Sequence, residues 1–166
     1  MYSNYILVSD NGSYKKEILP GKANTGDIIV ADFDNDGYDE IITGNRIIPQ
    51  QYPLSSQSQY FDNKNGEIIF DQSKSDLFSN IGIVNAMKVS DINNDNLPDL
   101  IIAAEWEPIR IFINEAGVLK ETETGLSNLK GWWYSIEEID INKDGLVDFV
   151  MGNLGENSKY LSLIHI

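Results

Sequence analysis

The sequence predicts an all-β protein built from about three repeated units of four short strands. Three nine-residue stretches rich in aspartate and asparagine recur along the chain, beginning at Asp32, Asp91 and Asp140. Each lies between two segments rich in β-branched and apolar residues, and a turn-forming segment precedes each one. Short strands and turns that recur at regular intervals are typical of all-β repeat proteins.

A β-hairpin is predicted upstream of each of these stretches. Asn-Gly between alternating segments is a strong hairpin signal, and two of the three turns contain it, at Asn11-Gly12 and Asn65-Gly66. The predicted hairpins are residues 4–8 turning at 10–12 into 13–18, residues 59–62 turning at 63–66 into 67–70, and residues 109–113 turning at 114–117 into 118–121.

The three aspartate-rich stretches share one pattern, and we call them the Asp loops: residues 32–40, 91–99 and 140–148. Positions 1, 3, 5 and 9 of each loop carry an oxygen-bearing side chain, and position 6 is Gly, Asn or Gly, which adopt positive φ readily. Such a loop aims its side chains and the position-7 carbonyl at one point. Crowded carboxylates need a hard cation, and an all-oxygen shell suits Ca²⁺. The alternative is plain acidic turns, where Asp, Asn and Gly are also common; three loops in register favour calcium.

The EF-hand, another calcium motif that opens in the same way, does not fit these loops. It requires a glutamate at position 12 and helices on both sides. Position 12 is Thr43, Ile102 or Met151, none of which has a carboxylate. The flanking segments indicate strands instead: 28–31 and 41–42, 86–89 and 100–102, 136–139 and 149–151. The sequence therefore predicts strand–loop–strand calcium sites.

Composition excludes several classes of function. The formal charge of the 166 residues is −14, which argues against nucleic acid or an anionic membrane surface as partner. No apolar run approaches the ~18 residues of a membrane helix, so we expect no membrane insertion. The absence of cysteine excludes disulfides and thiol chemistry. Residues 1–5 do not resemble a signal peptide, and we expect that the N-terminus is missing rather than that the protein is cytosolic.

The spacing of the units predicts a β-propeller. The first aspartates of the Asp loops are 59 and 49 residues apart, and the order hairpin, linker, strand, Asp loop, strand occurs three times, over about 1–56, 57–107 and 108–160. Since propellers close with ~4–8 blades, we expect residues 1–160 to be an incomplete propeller. Residues 161–166 resemble a translated sequencing adapter and are set aside, although an apolar strand is the alternative; they contain His165, the only histidine.

The loops and the Gly131–Ile136 segment before the third one resemble the FG-GAP/VCBS repeat family, whose repeats carry D-x-[DN]-x-D-G-x-x-D between two strands. The resemblance covers residues 1–160, and this part of the chain is similar to secreted bacterial VCBS-repeat proteins. It implies a seven- or eight-bladed propeller, display outside the cytoplasm and up to three structural Ca²⁺. The implied ligands are the side chains of Asp32, Asp34, Asp36, Glu40, Asp91, Asn93, Asp95, Asp99, Asp140, Asn142, Asp144 and Asp148, with the carbonyls of Tyr38, Leu97 and Leu146.

Two residues depart from the family pattern. Glu40 stands where aspartate is usual, which lengthens the reach at position 9 and keeps an oxygen. Asn96 replaces the position-6 glycine and adopts positive φ at some cost. The second loop has three carboxylates and no glycine, so we expect it to be the weakest site.

Other candidate residues each have a plainer interpretation. The aromatic run 132–134 could stack on a sugar, but alternation places Trp133 opposite its neighbours, so part of the run should be core. Trp106 is expected to pack between repeats. Residues 11–13 match a glycosylation acceptor and also form the predicted turn. Residues 49–58 are either a binding loop or a solvated linker.

The predicted function is an extracellular scaffold for binding or adhesion, recognising protein or carbohydrate. No nucleophile–base motif or phosphate-binding glycine loop is present, so we do not predict an enzyme. The alternative is part of a calcium-dependent, polysaccharide-acting enzyme of the lyase type, which would need a base such as Arg46 or Arg110, the only arginines. A third possibility is a structural spacer in a larger surface protein.

Overall fold

The computed structural model describes residues 3–19 and 24–155, and the regular secondary structure of this part of the chain is almost entirely antiparallel β-strand. The proposed adapter segment, residues 161–166, lies outside the described residues, as do residues 156–160. The described part contains no helix long and apolar enough to cross a bilayer. The prediction of an all-β protein is confirmed.

Twelve strands and one short helix are formed within the described residues. The first sheet contains β3 (Thr25–Ala31), β4 (Glu40–Asn45), β5 (Gln59–Lys64) and β6 (Glu67–Asp71), in that order. Helix α1 (Gln72–Ser75) and a 3₁₀ turn (Asp76–Phe78) follow it. The second sheet contains β7 (Ile83–Ser90), β8 (Asp99–Pro108), β9 (Arg110–Glu115) and β10 (Val118–Thr122). The remaining strands form two hairpins, β1 (Tyr5–Asp10) with β2 (Ser13–Ile18) and β11 (Lys130–Ile139) with β12 (Asp148–Asn153). The start of β11 also pairs with the end of β8, where Lys130 lies opposite Pro108, so the second hairpin is joined to the second sheet.

All three predicted hairpins are present, and their turns have the same conformation. Two residues with positive φ connect the strands in each: Asn11 and Gly12 at 46° and 85°, Asn65 and Gly66 at 56° and 93°, Ala116 and Gly117 at 52° and 92°. This is the two-residue turn that matches the right-handed twist of antiparallel strands.

In each of the two sheets, the four consecutive strands β3–β6 or β7–β10 begin with the strand before an Asp loop. The Asp loop joins the first strand to the second, and the hairpin turn joins the third to the fourth. The repeats predicted from the sequence start at the hairpin, whereas each sheet starts at the strand before the Asp loop. The predicted repeat boundaries therefore differ from the sheet boundaries by two strands.

The second sheet packs through both of its faces. In β8, Leu100 and Ile102 belong to a core cluster shared with the first sheet, whereas Ile101 and Ala103 belong to a cluster shared with β11. Strand β7 contacts β3 and β4 on one side and β11 on the other. Because alternate side chains of a strand point to opposite faces, a strand buried on both faces reads as a continuous apolar run.

Close contact between the first and second sheets depends on a small residue. A methyl group on Gly44 of β4 would overlap Cγ1 of Val84 in β7. Polar contacts join the same two sheets: the N–H of Met87 in β7 donates to Asp27 of β3 over 2.7 Å, and Arg46, just after β4, pairs with the buried Glu105 of β8 over 2.7 Å. The first two Asp loops therefore lie on sheets that are packed against each other.

Candidate metal centre

The three Asp loops adopt one backbone conformation, fixed by the carboxylate at position 1. In the first loop Asp32 accepts the N–H of Asp36 over 3.0 Å and that of Gly37 over 2.9 Å. Asp91 and Asp140 accept the corresponding pairs of N–H groups over 2.9 to 3.2 Å. The N–H of each position-7 residue, Tyr38, Leu97 or Leu146, donates to the position-5 carboxylate over 2.8 to 2.9 Å.

The carboxylate at position 9 closes each loop by accepting the N–H of position 2. The pairs are Phe33 to Glu40 at 2.8 Å, Ile92 to Asp99 at 2.8 Å, and Ile141 to Asp148 at 2.9 Å. The position-9 carboxylate thus accepts a backbone hydrogen bond in addition to its proposed role as an ion ligand.

Positive φ occurs at two positions of each loop, and sequence reasoning found one of them. Position 6 has φ of 90°, 66° and 84° in the three loops, as expected from Gly, Asn and Gly. Position 4 is also left-handed, with φ of 59° at Asn35, 58° at Asn94 and 62° at Lys143. The asparagines were a usable signal for this second position, whereas the lysine gave none.

The first loop gathers the negative charge most closely. One oxygen each from Asp32, Asp34 and Glu40 lie within 4.8 Å of one another. The Glu40 side chain is fully buried, with 0% exposure, and within the described part of the chain its Oε1 and Oδ1 of Asp34 have no hydrogen-bond partner. Burial raises the pKa of Glu40 above its ordinary value; the hydrogen bond from the N–H of Phe33 opposes this shift, and the neighbouring carboxylates of Asp34 and Asp32 add to it. A hard cation with oxygen ligands would satisfy both orphaned atoms, so these residues fit calcium.

More of the side-chain oxygens in the second and third loops accept hydrogen bonds. Both oxygens of Asp99 accept backbone N–H groups, from Ile92 at 2.8 Å and from Asn114 at 2.7 Å. The position-3 amide donates to the position-5 carboxylate in each loop, from Asn93 to Asp95 over 2.9 Å and from Asn142 to Asp144 over 2.8 Å. These loops have the predicted residues in the predicted order, without the close trio of carboxylates of the first loop.

The neighbours of the first loop were not found from the sequence. Lys64 lies with its Nζ 3.6 Å from Oδ2 of Asp34, and Asn63 donates its side-chain amide to the carbonyl of Asp39 over 3.0 Å. Asn114 of the second sheet donates to the carbonyl of Phe33 over 2.8 Å. The two asparagines share a sequence signal that could have identified them: each lies three residues before a turn glycine, in Asn63-x-x-Gly66 and Asn114-x-x-Gly117.

The aromatic residues divide between core and surface. Trp133 is 7% exposed and belongs to the second core cluster, as alternation predicts, whereas Tyr134 is 48% exposed. Trp106 packs on Trp132 with ring centroids 4.9 Å apart, and its indole N–H donates to the hydroxyl of Tyr52 over 2.9 Å. Trp106, on β8, thus packs against Trp132 of β11 and is also hydrogen-bonded to segment 49–58 through Tyr52.

Comparison with known proteins agrees with the repeat pattern. No curated protein matches the chain. Residues 91–151 match the family model described as an FG-GAP-like repeat, which runs from the start of the second Asp loop into β12. The match includes the second and third Asp loops. This match supports the resemblance to the FG-GAP/VCBS repeat family.

Proposed function

We propose that the chain is part of a calcium-binding β-propeller that acts outside the cytoplasm as a binding or adhesion scaffold for protein or carbohydrate. The observation that carries the calcium assignment is the buried Glu40: its Oε1 has no hydrogen-bond partner among the described residues, and one of its oxygens belongs to the carboxylate trio with Asp32 and Asp34. An isolated buried carboxylate is costly unless it is neutralised or paired.

Calcium has a structural role in this proposal. When bound, it supplies positive charge to a loop whose side chains otherwise repel one another. The loop residues themselves set the backbone conformation. The position-1 carboxylate accepts two N–H groups of the loop, and the position-9 carboxylate accepts the N–H of position 2. Up to three ions would fix the turns between the first and second strands of the blades.

The packing of the sheets supports a propeller. Strand β7 contacts both β3 and β11, the first sheet packs on one face of the second, and the β11–β12 hairpin, which pairs with the end of β8, packs on the other face. Blades of a propeller stack radially in this manner. The position outside the cytoplasm follows from the resemblance to secreted repeat proteins.

A lyase is less well supported, because both candidate bases are occupied. Arg46 pairs with Glu105 over 2.7 Å and Arg110 lies 3.4 Å from Glu121. Incubation with acidic polysaccharides separates the two readings: binding without new products supports a scaffold, and unsaturated sugar products would overturn it.

The calcium proposal is tested by thermal unfolding of the 166-residue chain in excess Ca²⁺ and in chelator. Linkage predicts that calcium raises the free energy of unfolding by about 2.7 kcal/mol per independent site at a hundredfold excess over its dissociation constant. Replacing Asp32 and Asp140 with alanine should remove the contributions of two loops.

Asp39→Ala is the matched control, because Asp39 is an exposed carboxylate of the first loop at a position that is not a proposed ligand. Its calcium response should equal that of the wild type. Equal melting temperatures in calcium and chelator for the wild-type protein would contradict the proposal.

A further inference from the structure

Asn114 links two Asp loops that belong to different sheets. It lies near the end of β9 beside the hairpin turn and is fully buried, with 0% exposure. Its side-chain oxygen accepts the N–H of Gly117 over 2.8 Å, which fixes the amide orientation within the turn. The side-chain nitrogen is then directed away from the turn.

On the side of the second loop, Asn114 contacts the closing residues. Its backbone N–H donates to Oδ1 of Asp99 over 2.7 Å, and its side-chain nitrogen lies 3.2 Å from the carbonyl of Pro98. Asp99 is the proposed position-9 ligand of that loop, so Asn114 holds one of its oxygens in place.

On the side of the first loop, the same side-chain nitrogen donates to the carbonyl of Phe33 over 2.8 Å. The N–H of Phe33 in turn donates to Oε2 of Glu40 over 2.8 Å. The turn of Asn114 also touches this loop, because a methyl group on Gly117 would lie 3.3 Å from Cα of Asp34.

A continuous chain of buried hydrogen bonds therefore runs from Glu40 through the Phe33 residue and Asn114 to Asp99. It connects the position-9 carboxylates of two loops whose first aspartates are 59 residues apart in sequence. A change of charge or position at one carboxylate alters the hydrogen bonds of the other, since linked bonds in a low-dielectric interior polarise one another.

We propose that Asn114 couples the first and second Asp loops, so that calcium held by the first loop strengthens calcium binding at the second. This inference rests on the proposed calcium function and adds a positioning role for a residue outside either loop. Coupling is reciprocal by linkage, and typical couplings change affinity by about 5-fold to 150-fold.

Asn63 provides an internal comparison. It occupies the same place in the first sheet, where its side-chain oxygen accepts the N–H of Gly66 over 2.8 Å and its nitrogen donates to Asp39 over 3.0 Å. Both of these partners belong to its own sheet. Asn114 differs by its additional bond to Phe33, and that bond is the basis of the proposed coupling.

The test is a calcium titration of the full chain followed by backbone amide NMR signals. The amides of Gly37, Asn96 and Gly145 are each bonded to the first aspartate of their own loop, so they report on the three loops separately. Asp34→Ala disables the first loop. We expect it to raise the calcium concentration that half-saturates the Asn96 signal by about fivefold, the lower end of typical couplings.

The same comparison is then made in an Asn114→Asp background, which keeps the acceptor for Gly117 and removes the donor to Phe33. There, Asp34→Ala should leave the Asn96 titration unchanged. Asn63→Asp adds the same charge at the equivalent turn and should preserve the fivefold effect. The calcium concentration that half-saturates the Gly145 signal should be the same in all of these variants.

The outcomes distinguish this inference from the function on which it rests. If calcium shifts Gly37 but Asp34→Ala leaves Asn96 unchanged in the otherwise wild-type chain, the coupling is wrong and the calcium function stands. A fivefold effect that persists with Asn114→Asp overturns the role of Asn114. If calcium shifts none of the three amides, the calcium function fails and the coupling with it.

A second measurement covers the case in which Asn114→Asp does not fold. Hydrogen exchange at the Asn114 backbone amide, bonded to Asp99, should be slower in calcium for the wild type than for Asp34→Ala at equal occupancy of the second loop. Equal exchange rates in the two proteins would overturn the coupling.

Discussion

At the level of single residues, Glu40 distinguishes the first loop from the other two by its longer side chain. A glutamate at position 9 reaches one methylene further than the aspartates of the other loops. Asp99 has both oxygens bonded to N–H groups, whereas Glu40 has one oxygen bonded to Phe33 and the other buried without a partner among the described residues. The sequence predicted a ligand at this position, but not that it would be the loop's most buried carboxylate.

Glu40→Gln should therefore have opposite effects with and without calcium. In chelator we expect the free energy of unfolding to rise by on the order of 1 kcal/mol, since an unsatisfied buried polar group costs about 1–3 kcal/mol. Glutamine keeps an acceptor for Phe33 and can donate to the neighbouring carboxylates. In excess calcium the stabilisation from this loop should be largely lost, and denaturant unfolding in both conditions measures the two effects.

Asp99→Asn is the matched control at the same position of the second loop. Because both oxygens of Asp99 accept N–H groups, an amide there leaves one donor facing a donor. It should lower stability in chelator as well as in calcium. A Glu40→Gln protein that behaves in the same way would show that Glu40 is only a structural hydrogen-bond acceptor.

Left-handed backbone at single residues was only partly predictable. Glycine and asparagine marked the turns correctly, yet Ala116 and Lys143 adopt φ of 52° and 62° with no residue-type signal. The hairpin register and the loop hydrogen bonds impose these angles from outside. Local preference is overridden there because the surrounding structure determines the turn.

At the level of elements, the strands and turns were readable from the sequence and α1 was not. A four-residue helix is too short for a hydrophobic period, and helix formation has a costly nucleus. Helix α1 exists because of its cap: Asp71 accepts the N–H of Lys74 over 3.0 Å and the hydroxyl of Ser73 over 2.8 Å. The N–H of Lys74 is the main cause that lowers the pKa of Asp71 below its ordinary value.

Removing this cap should destabilise the protein in a pH-dependent way. Asp71→Ala is expected to lower the free energy of unfolding by about 1 kcal/mol, while Asp71→Asn, which keeps an acceptor, should cost much less. Because the folded-state pKa of Asp71 is lowered, the contribution of its charge is present above about pH 4 and disappears as pH falls through the folded pKa.

Denaturant unfolding of the wild type and Asp71→Asn at several pH values measures this contribution. The difference between the two proteins should be constant near neutral pH and shrink as the pH falls below about 4. A difference that grows in acid would contradict the assigned pKa direction.

At the level of the whole molecule, the sequence predicted the repeat and the all-β class, because three patterns recur in the same order. It could not predict how the repeats combine, since sheet-to-sheet contact joins residues distant in sequence. Val84 is an example: nothing near it in sequence indicates that it lies against Gly44. The relay through Asn114 was missed for the same reason, because its partner Phe33 is 81 residues away.

The stacking of the first two sheets can be tested by filling the space at Gly44. Gly44→Ala should lower the free energy of unfolding by about 1–3 kcal/mol, the usual cost of overpacking, because the new methyl group overlaps Val84. Val84→Ala alone should cost on the order of 2 kcal/mol, since Val84 is fully buried in the cluster between the sheets.

In the double variant the added methyl group occupies part of the space that Val84 vacates. The cost should then be smaller than the two single costs together, by about 0.5–3 kcal/mol. Denaturant unfolding of the four proteins measures that interaction energy. Strictly additive costs would show that β4 and β7 are not packed against each other. That result would contradict the face-to-face packing of the first two sheets, which supports a propeller.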